Sequence, residues 1–98
     1  NERSAMVEQG IASVACAISS KTGKITGDVA VQMRGISGGD DEYLLEDAAS
    51  AVRHGLEKAL SKGGKKRDLE KACRQSLQSV LWDRIKQRPL VIVNLLDI

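Results

Sequence analysis

The chain is 98 residues long, 42% hydrophobic and 29% charged, which suits one globular domain and excludes both a disordered tail and an enzyme with a separate substrate domain. Phe is absent and Tyr43 and Trp82 are the only aromatic residues, so the core must be aliphatic, and nucleic-acid recognition through several stacked rings is disfavoured. The formal charge of +2 permits a polyanionic partner without requiring one.

From Ile11 to Ser19 small and β-branched residues predict a first strand, with Ala12, Val14, Cys16 and Ile18 on one face and Ile11, Ala15 and Ala17 on the other. Ser20-Lys21-Thr22-Gly23-Lys24 then offers a glycine where a hairpin loop needs positive φ. In the second strand Ile25, Val29, Val31 and Met33 share one face with Gly27, while Thr26, Asp28, Gln32 and Arg34 make the other face wet. Gly35-Ile36-Ser37-Gly38-Gly39 reads as a flexible connector, and Asp40 or Asp41 can cap the helix that follows. Its apolar stripe is Leu45, Ala48, Ala49, Val52, Leu56, Ala59 and Leu60, with acids in the first turns, Lys58 and Lys62 in the last, and Gly63-Gly64 as the stop. Lys65-Lys66-Arg67 form the turn and Asp68 can cap a second helix carrying Leu69, Ala72, Cys73, Leu77, Val80, Leu81 and Ile85 at helical spacing. Arg88-Pro89 bars its continuation, and Leu90 to Ile98 form a third strand.

The expected fold is therefore α+β, with order β-β-α-α-β in a single domain over 1–98 and residues 1–9 as a linker or lead-in segment. Short connections reverse direction at each step, so strand three should run parallel to strand one and antiparallel to strand two. Strand two alone has a polar face, which places strand one centrally in a three-stranded mixed sheet with both helices packed on one face. Strand three is apolar on both sides: Leu90, Ile92, Leu96 and Ile98 on one, Val91, Val93 and Leu95 on the other. Two helices cover only one face, so a partner is expected on the second, with Val91, Val93 and Leu95 as the candidate interface. The alternative is partial wrapping by Ala5 to Val7.

Chemistry-bearing residues are sparse. Cys16 and Cys73 do not make a disulfide framework or a zinc site and read as small buried hydrophobes. His54, the only histidine, has no Cys or second His within helical reach and reads as a partly exposed helix residue. Asp40-Asp41 and Asp47 could hold a hard cation and Gly35 to Gly39 could approach a phosphate, but no phosphate-loop lysine pattern or nucleophile–base pair accompanies them, and helix capping explains the acids more simply. Lys65, Lys66 and Arg67, with Lys71 and Arg74, are the candidate RNA contacts, since phosphates need only positive side chains; Asp68 and Glu70 dilute that patch. No apolar stretch approaches the roughly 20 residues of a membrane span and no signal-peptide apolar region opens the chain, so an intracellular protein is expected.

The chain as a whole resembles the C-terminal domain of ribonuclease J, an RNase of the metallo-β-lactamase and β-CASP superfamily. Glu2-Arg3 with Met6, and Gln9-Gly10, are similar to the family's lead-in to its last domain. Ser20-Lys21-Thr22-Gly23-Lys24 is similar to its strand turn, and Arg34-Gly35-Ile36 stands where Arg-Gly-Phe is common. The tail is the most specific part: Lys86-Gln87-Arg88-Pro89, then Leu90-Val91-Ile92-Val93, ending Leu96-Asp97-Ile98. Departures are Ile36 for the usual aromatic, Gln87 at an often basic position, and Asn94-Leu95-Leu96 in place of a proline-containing ending. The resemblance implies a non-catalytic assembly domain, for oligomerisation or domain packing, of a 5′-to-3′ exo- and endoribonuclease acting in RNA processing and decay; the alternative is an auxiliary RNA-binding domain working through the Lys65–Arg67 turn. It implies self-association or contact with the catalytic domains, no membrane, and a cytoplasmic location, or the stroma if the source is a plant. Zinc or other divalent ions belong to the family's N-terminal catalytic region; nothing in this chain maps onto their ligands, and no cofactor is expected in this domain.

Overall fold

The structure, a computed structural model, describes residues 10–98; the lead-in segment 1–9 and the wrapping role of Ala5 to Val7 lie outside them. The elements are β1 (Ile11–Ile18), β2 (Ile25–Arg34), α1 (Glu42–Ser61), α2 (Lys66–Ile85) and β3 (Leu90–Asp97). The sheet order is β2-β1-β3, with β1 antiparallel to β2 and parallel to β3, as the parity of short connections requires. In the β1–β2 turn Gly23 takes φ +68°, the left-handed conformation that a side chain resists, and its N–H donates to the Ser19 carbonyl at 2.8 Å.

Register follows from burial. Ala12, Val14, Cys16 and Ile18 face the helices, and β3 pairs Val91 with Ala12, Val93 with Val14 and Leu95 with Cys16. Between Ala15 and Ala17 the β2 partners run from Ala30 to Thr26, so β2 takes four steps where β1 takes two. This bulge lets the twisted edge strand stay in contact with the helices. The guanidinium of Arg53, from α1, donates to the Gly27 carbonyl within it.

Both helices lie on one side of the sheet, α1 nearer β2 and α2 nearer β3. Asp41 is the N-cap of α1: its Oδ1 accepts from the N–H groups of Tyr43 at 2.8 Å and Leu44 at 3.3 Å. The buried stripe of α1 is Leu44, Ala48, Val52 and Leu56, so Leu44 replaces Leu45 as its first core residue. The helix ends with Gly64 donating to the Ala59 carbonyl and Gly63 to that of Leu60. In α2 the buried residues are Leu69, Cys73, Leu77 and Leu81. The helix starts earlier than the sequence reading, with Lys66 and Arg67 in its first turn and Lys65 as N-cap; Asp68 sits in the third helical position and accepts from the Lys65 N–H at 3.0 Å, the reciprocal half of a capping box. At the other end Lys86 adopts φ +54°, a left-handed cap costing about 1–2 kcal/mol for a non-glycine residue, before Pro89 sets the chain into β3.

Two expectations are corrected here. Ile36, read as part of a flexible connector, is buried against the core; it sits so close to Gly10 that a Cβ there would lie 2.7 Å from Ile36 Cγ1 and 2.6 Å from the Gly35 carbonyl oxygen. Gly10 and Arg34-Gly35-Ile36, separate in the sequence, thus belong to one packing joint at the start of β1. The second correction concerns β3. Val91 and Leu95 are buried beneath the helices and Val93 is half-buried against the same core, so the candidate interface of Val91, Val93 and Leu95 is the inner face. Both sides of β3 are apolar, and a period of two cannot say which points inward; only pairing to the helix-facing residues of β1 does.

Candidate assembly and nucleic-acid surfaces

The face of the sheet away from the helices is formed by the alternate residues. Its rows read Arg34–Ile11–Leu90, then Gln32–Ser13–Ile92, then Ala30–Ala15–Asn94, and finally Thr26–Ala17–Leu96. Polarity falls from β2 to β3 except in the third row, where Asn94 interrupts the aliphatic residues of β3. Leu90, Ile92, Leu96 and Ile98 are 45%, 43%, 64% and 59% exposed, and Ile11 beside Leu90 is 37% exposed. Ser13, Ala15 and Ala17 are small, so the middle strand is low beneath a ridge of long aliphatic side chains on β3. Among the described residues that strand is also an edge of the sheet; its eight residues include no Lys, Arg or Pro and a single charge, Asp97, so it has few of the devices that usually blunt a free edge. Its far end is fixed: the Ser20 N–H and Oγ both donate to the Ile98 carbonyl at 2.8 Å.

The opposite side of the molecule carries the basic surface. All five candidate RNA contacts are exposed, but the structure divides them. Arg67, Lys71 and Arg74 line one shallow groove along α2 together with Glu70, Gln75 and Gln78. Lys65 and Lys66 stand at the helix start, outside it. A second groove shares Gln75 and Gln78 and continues through Ser79 and Trp82 to Arg88. Trp82 is 44% exposed; the Arg88 guanidinium lies 4.4 Å and the Lys86 ammonium 5.6 Å from its ring centroid, within cation–π range. Trp82, Gln78 and Arg88 are not among the candidate RNA contacts read from the sequence. The spacing of Lys71, Arg74, Gln78 and Trp82 at three and four residues carried the signal, whereas Arg88 joins only because the left-handed Lys86 folds the chain back over the ring.

Two of the three acids considered as cation ligands have structural partners. Asp41 caps α1, and Asp47 is ion-paired with Arg84 of α2. His54 is exposed on α1. Among the described residues no group of three His, Cys, Asp or Glu side chains is placed to hold a metal ion. Cys16 and Cys73 are buried free thiols. Burial raises the pKa of Cys16, with Arg53 lowering it in part. Burial pushes Cys73 up to about 11, with Cys16 and Glu70 adding to the rise and Arg74 opposing it. Neither is poised as a nucleophile. Among the described residues no helix is long and apolar enough to cross a membrane.

The sequence profile described as the ribonuclease J C-terminal domain matches residues 1–98, the whole chain. No curated protein matches it.

Proposed function

The chain belongs to the ribonuclease J C-terminal domain family, and on that premise we propose that it is a non-catalytic assembly domain whose open sheet face packs against a second copy of itself. The observation that carries this reading is the row of exposed aliphatic side chains on β3 and Ile11. Their water-exposed portions amount to about two and a half fully exposed aliphatic side chains, so full coverage contributes roughly 4–7 kcal/mol per copy. Two copies together supply a favourable term of the size that association consumes in lost freedom, which suits a domain that strengthens an assembly held at other contacts too. A twofold axis requires a self-complementary patch, and a ridge on β3 beside the low Ser13-Ala15-Ala17 floor is one: each copy's ridge fits over the other's floor.

In this reading the exo- and endonucleolytic cleavage of RNA, with the zinc or other divalent ions it uses, resides in the catalytic region of the enzyme, and this domain acts by holding subunits or domains in place. A cytoplasmic setting, or the stroma in a plant, goes with it. Sedimentation equilibrium of the chain across micromolar concentrations tests the proposal. A mass rising towards that of a dimer supports it; a strict monomer refutes self-association, and a monomer that instead binds the separately prepared catalytic region assigns the face to that partner.

A further inference from the structure

We propose that the outer face of α2 binds single-stranded RNA, its backbone tracked by Arg67, Lys71 and Arg74 and one base stacked on Trp82 beside Arg88. The two grooves join at Gln75 and Gln78 into one track. From Arg67 to Trp82 the helix rises about 22 Å, enough for about four nucleotides, the lower end of the site size of small single-strand-binding modules. Among the described residues none of Arg67, Lys71, Arg74, Lys86 or Arg88 forms an ion pair; those present join Arg53 to Glu57 and Arg84 to Asp47. Glu70 is the one carboxylate lining the track, so its cations are free to meet phosphates. Gln75 and Gln78 supply amide donors and acceptors between the charged end and the ring.

The far end separates this surface from an ordinary solvated helix face. Leucine, valine and isoleucine fill the core, yet the chain's one tryptophan is left 44% exposed. Two cations are brought to it, one by a backbone turn into the left-handed region at Lys86. An indole ring held by a guanidinium is fixed in orientation, and a base can stack on its exposed surface. Cationic track and stacking ring together select a polyanion with unpaired bases; an acidic peptide meets only the first requirement and a duplex hides its bases. A family of ribonucleases makes that polyanion RNA. This surface lies on the helix side of the sheet, away from the proposed assembly face, so both can be occupied at once.

Trp82 reports on its own occupancy because it is the only tryptophan. Titrating the chain with an oligoadenylate of about ten nucleotides should quench its fluorescence saturably. With four cations on the track, the logarithm of affinity should fall with that of salt with a slope near −2.8, roughly a 50-fold loss between about 50 and 200 mM. With fluorescently labelled RNA, Arg74→Gln should lower the slope by about 0.7. Trp82→Leu should weaken binding by roughly tenfold and leave the slope unchanged, with circular dichroism showing both variants folded. The proposal is overturned by absence of binding at low salt, by binding that leaves Trp82 fluorescence unchanged, or by equal affinity for double-stranded RNA or polyglutamate.

Discussion

Placing the same carboxylate at two consecutive positions of β3, Val91→Asp and Ile92→Asp, separates the inner face from the outer. Both variants carry a similar strand-propensity penalty, about 1 kcal/mol, so their difference reports environment. Val91 is 7% exposed beneath the helices; an aspartate there gives up about 1.5 kcal/mol of apolar burial and leaves an uncompensated group costing about 3–5 kcal/mol. That approaches the whole stability of a small domain, about 5–15 kcal/mol, and the variant should be largely unfolded by circular dichroism. Ile92 is 43% exposed, so its replacement should leave the monomer folded. In a twofold assembly the lost coverage is about 0.6–1.3 kcal/mol per copy, counted twice, and the added charges repel. The dissociation constant should therefore rise by roughly 10- to 100-fold, read by sedimentation velocity over a dilution series. An Ile92→Asp chain that associates like the parent, or a Val91→Asp chain that stays folded and dissociates, would refute the assignment of faces.

Two other perturbations test the packing. Ionising Cys73 is harder in the folded chain, where its pKa is about 11, than in the unfolded chain near 9.0; the stabilising preference for the protonated thiol is complete below pH 9 and is lost as pH rises to about 11, at about 1.4 kcal/mol per unit. Urea melts at pH 8 and pH 10.5 should show that loss, and Cys73→Ala should remove it from the difference; an unchanged difference would place the titrating group elsewhere. Gly55 of α1 faces Ser76 of α2 so closely that an added Cβ collides with Ser76 Oγ, while Ser76 Cβ would lie at 3.4 Å. Gly55→Ala with Ser76→Ala should therefore recover the helical preference for alanine, about 1 kcal/mol, and raise the melting temperature by roughly 4–8 °C by calorimetry; Gly55→Ala alone should fall short of it, and equal gains would show that Ser76 turns aside freely.

Much of the fold could be read from periodicity because local rules agreed with one another. Alternation in Ile25 to Met33, glycine in the Ser20–Lys24 turn, the caps at Asp41 and Gly63-Gly64, and the stop before Pro89 each specify an element without reference to its neighbours; parity then gives the strand directions, and the wet face of the second strand places the first in the middle. What escaped was set by tertiary contact. Which side of β3 faces inward depends on its register with β1, residues 79 positions away at Ile11 and Leu90. Ile36 looks like a connector residue because only its meeting with Gly10 makes it core. On α2 the charged residues Arg67, Lys71 and Arg74 were conspicuous as charges, but the track to Trp82 and Arg88 depends on a left-handed residue after the helix, which no pattern of charge reveals.

The parallel pairing of β1 with β3 also orders events in time. The hairpin and the helix pair join residues near in sequence and can form as soon as they are synthesised, whereas β3 must find a strand made long before it, a non-local contact that forms slowly. Until it docks, β1 has an unpaired edge and the helices lack part of their floor. Docking therefore completes the core and creates the aliphatic ridge in one step, so that a nascent chain has no ridge to offer a partner until its own interior is closed. Under the proposed self-association, pairing through the ridge is thereby reserved for finished copies, which limits premature contact between incompletely folded chains on neighbouring ribosomes.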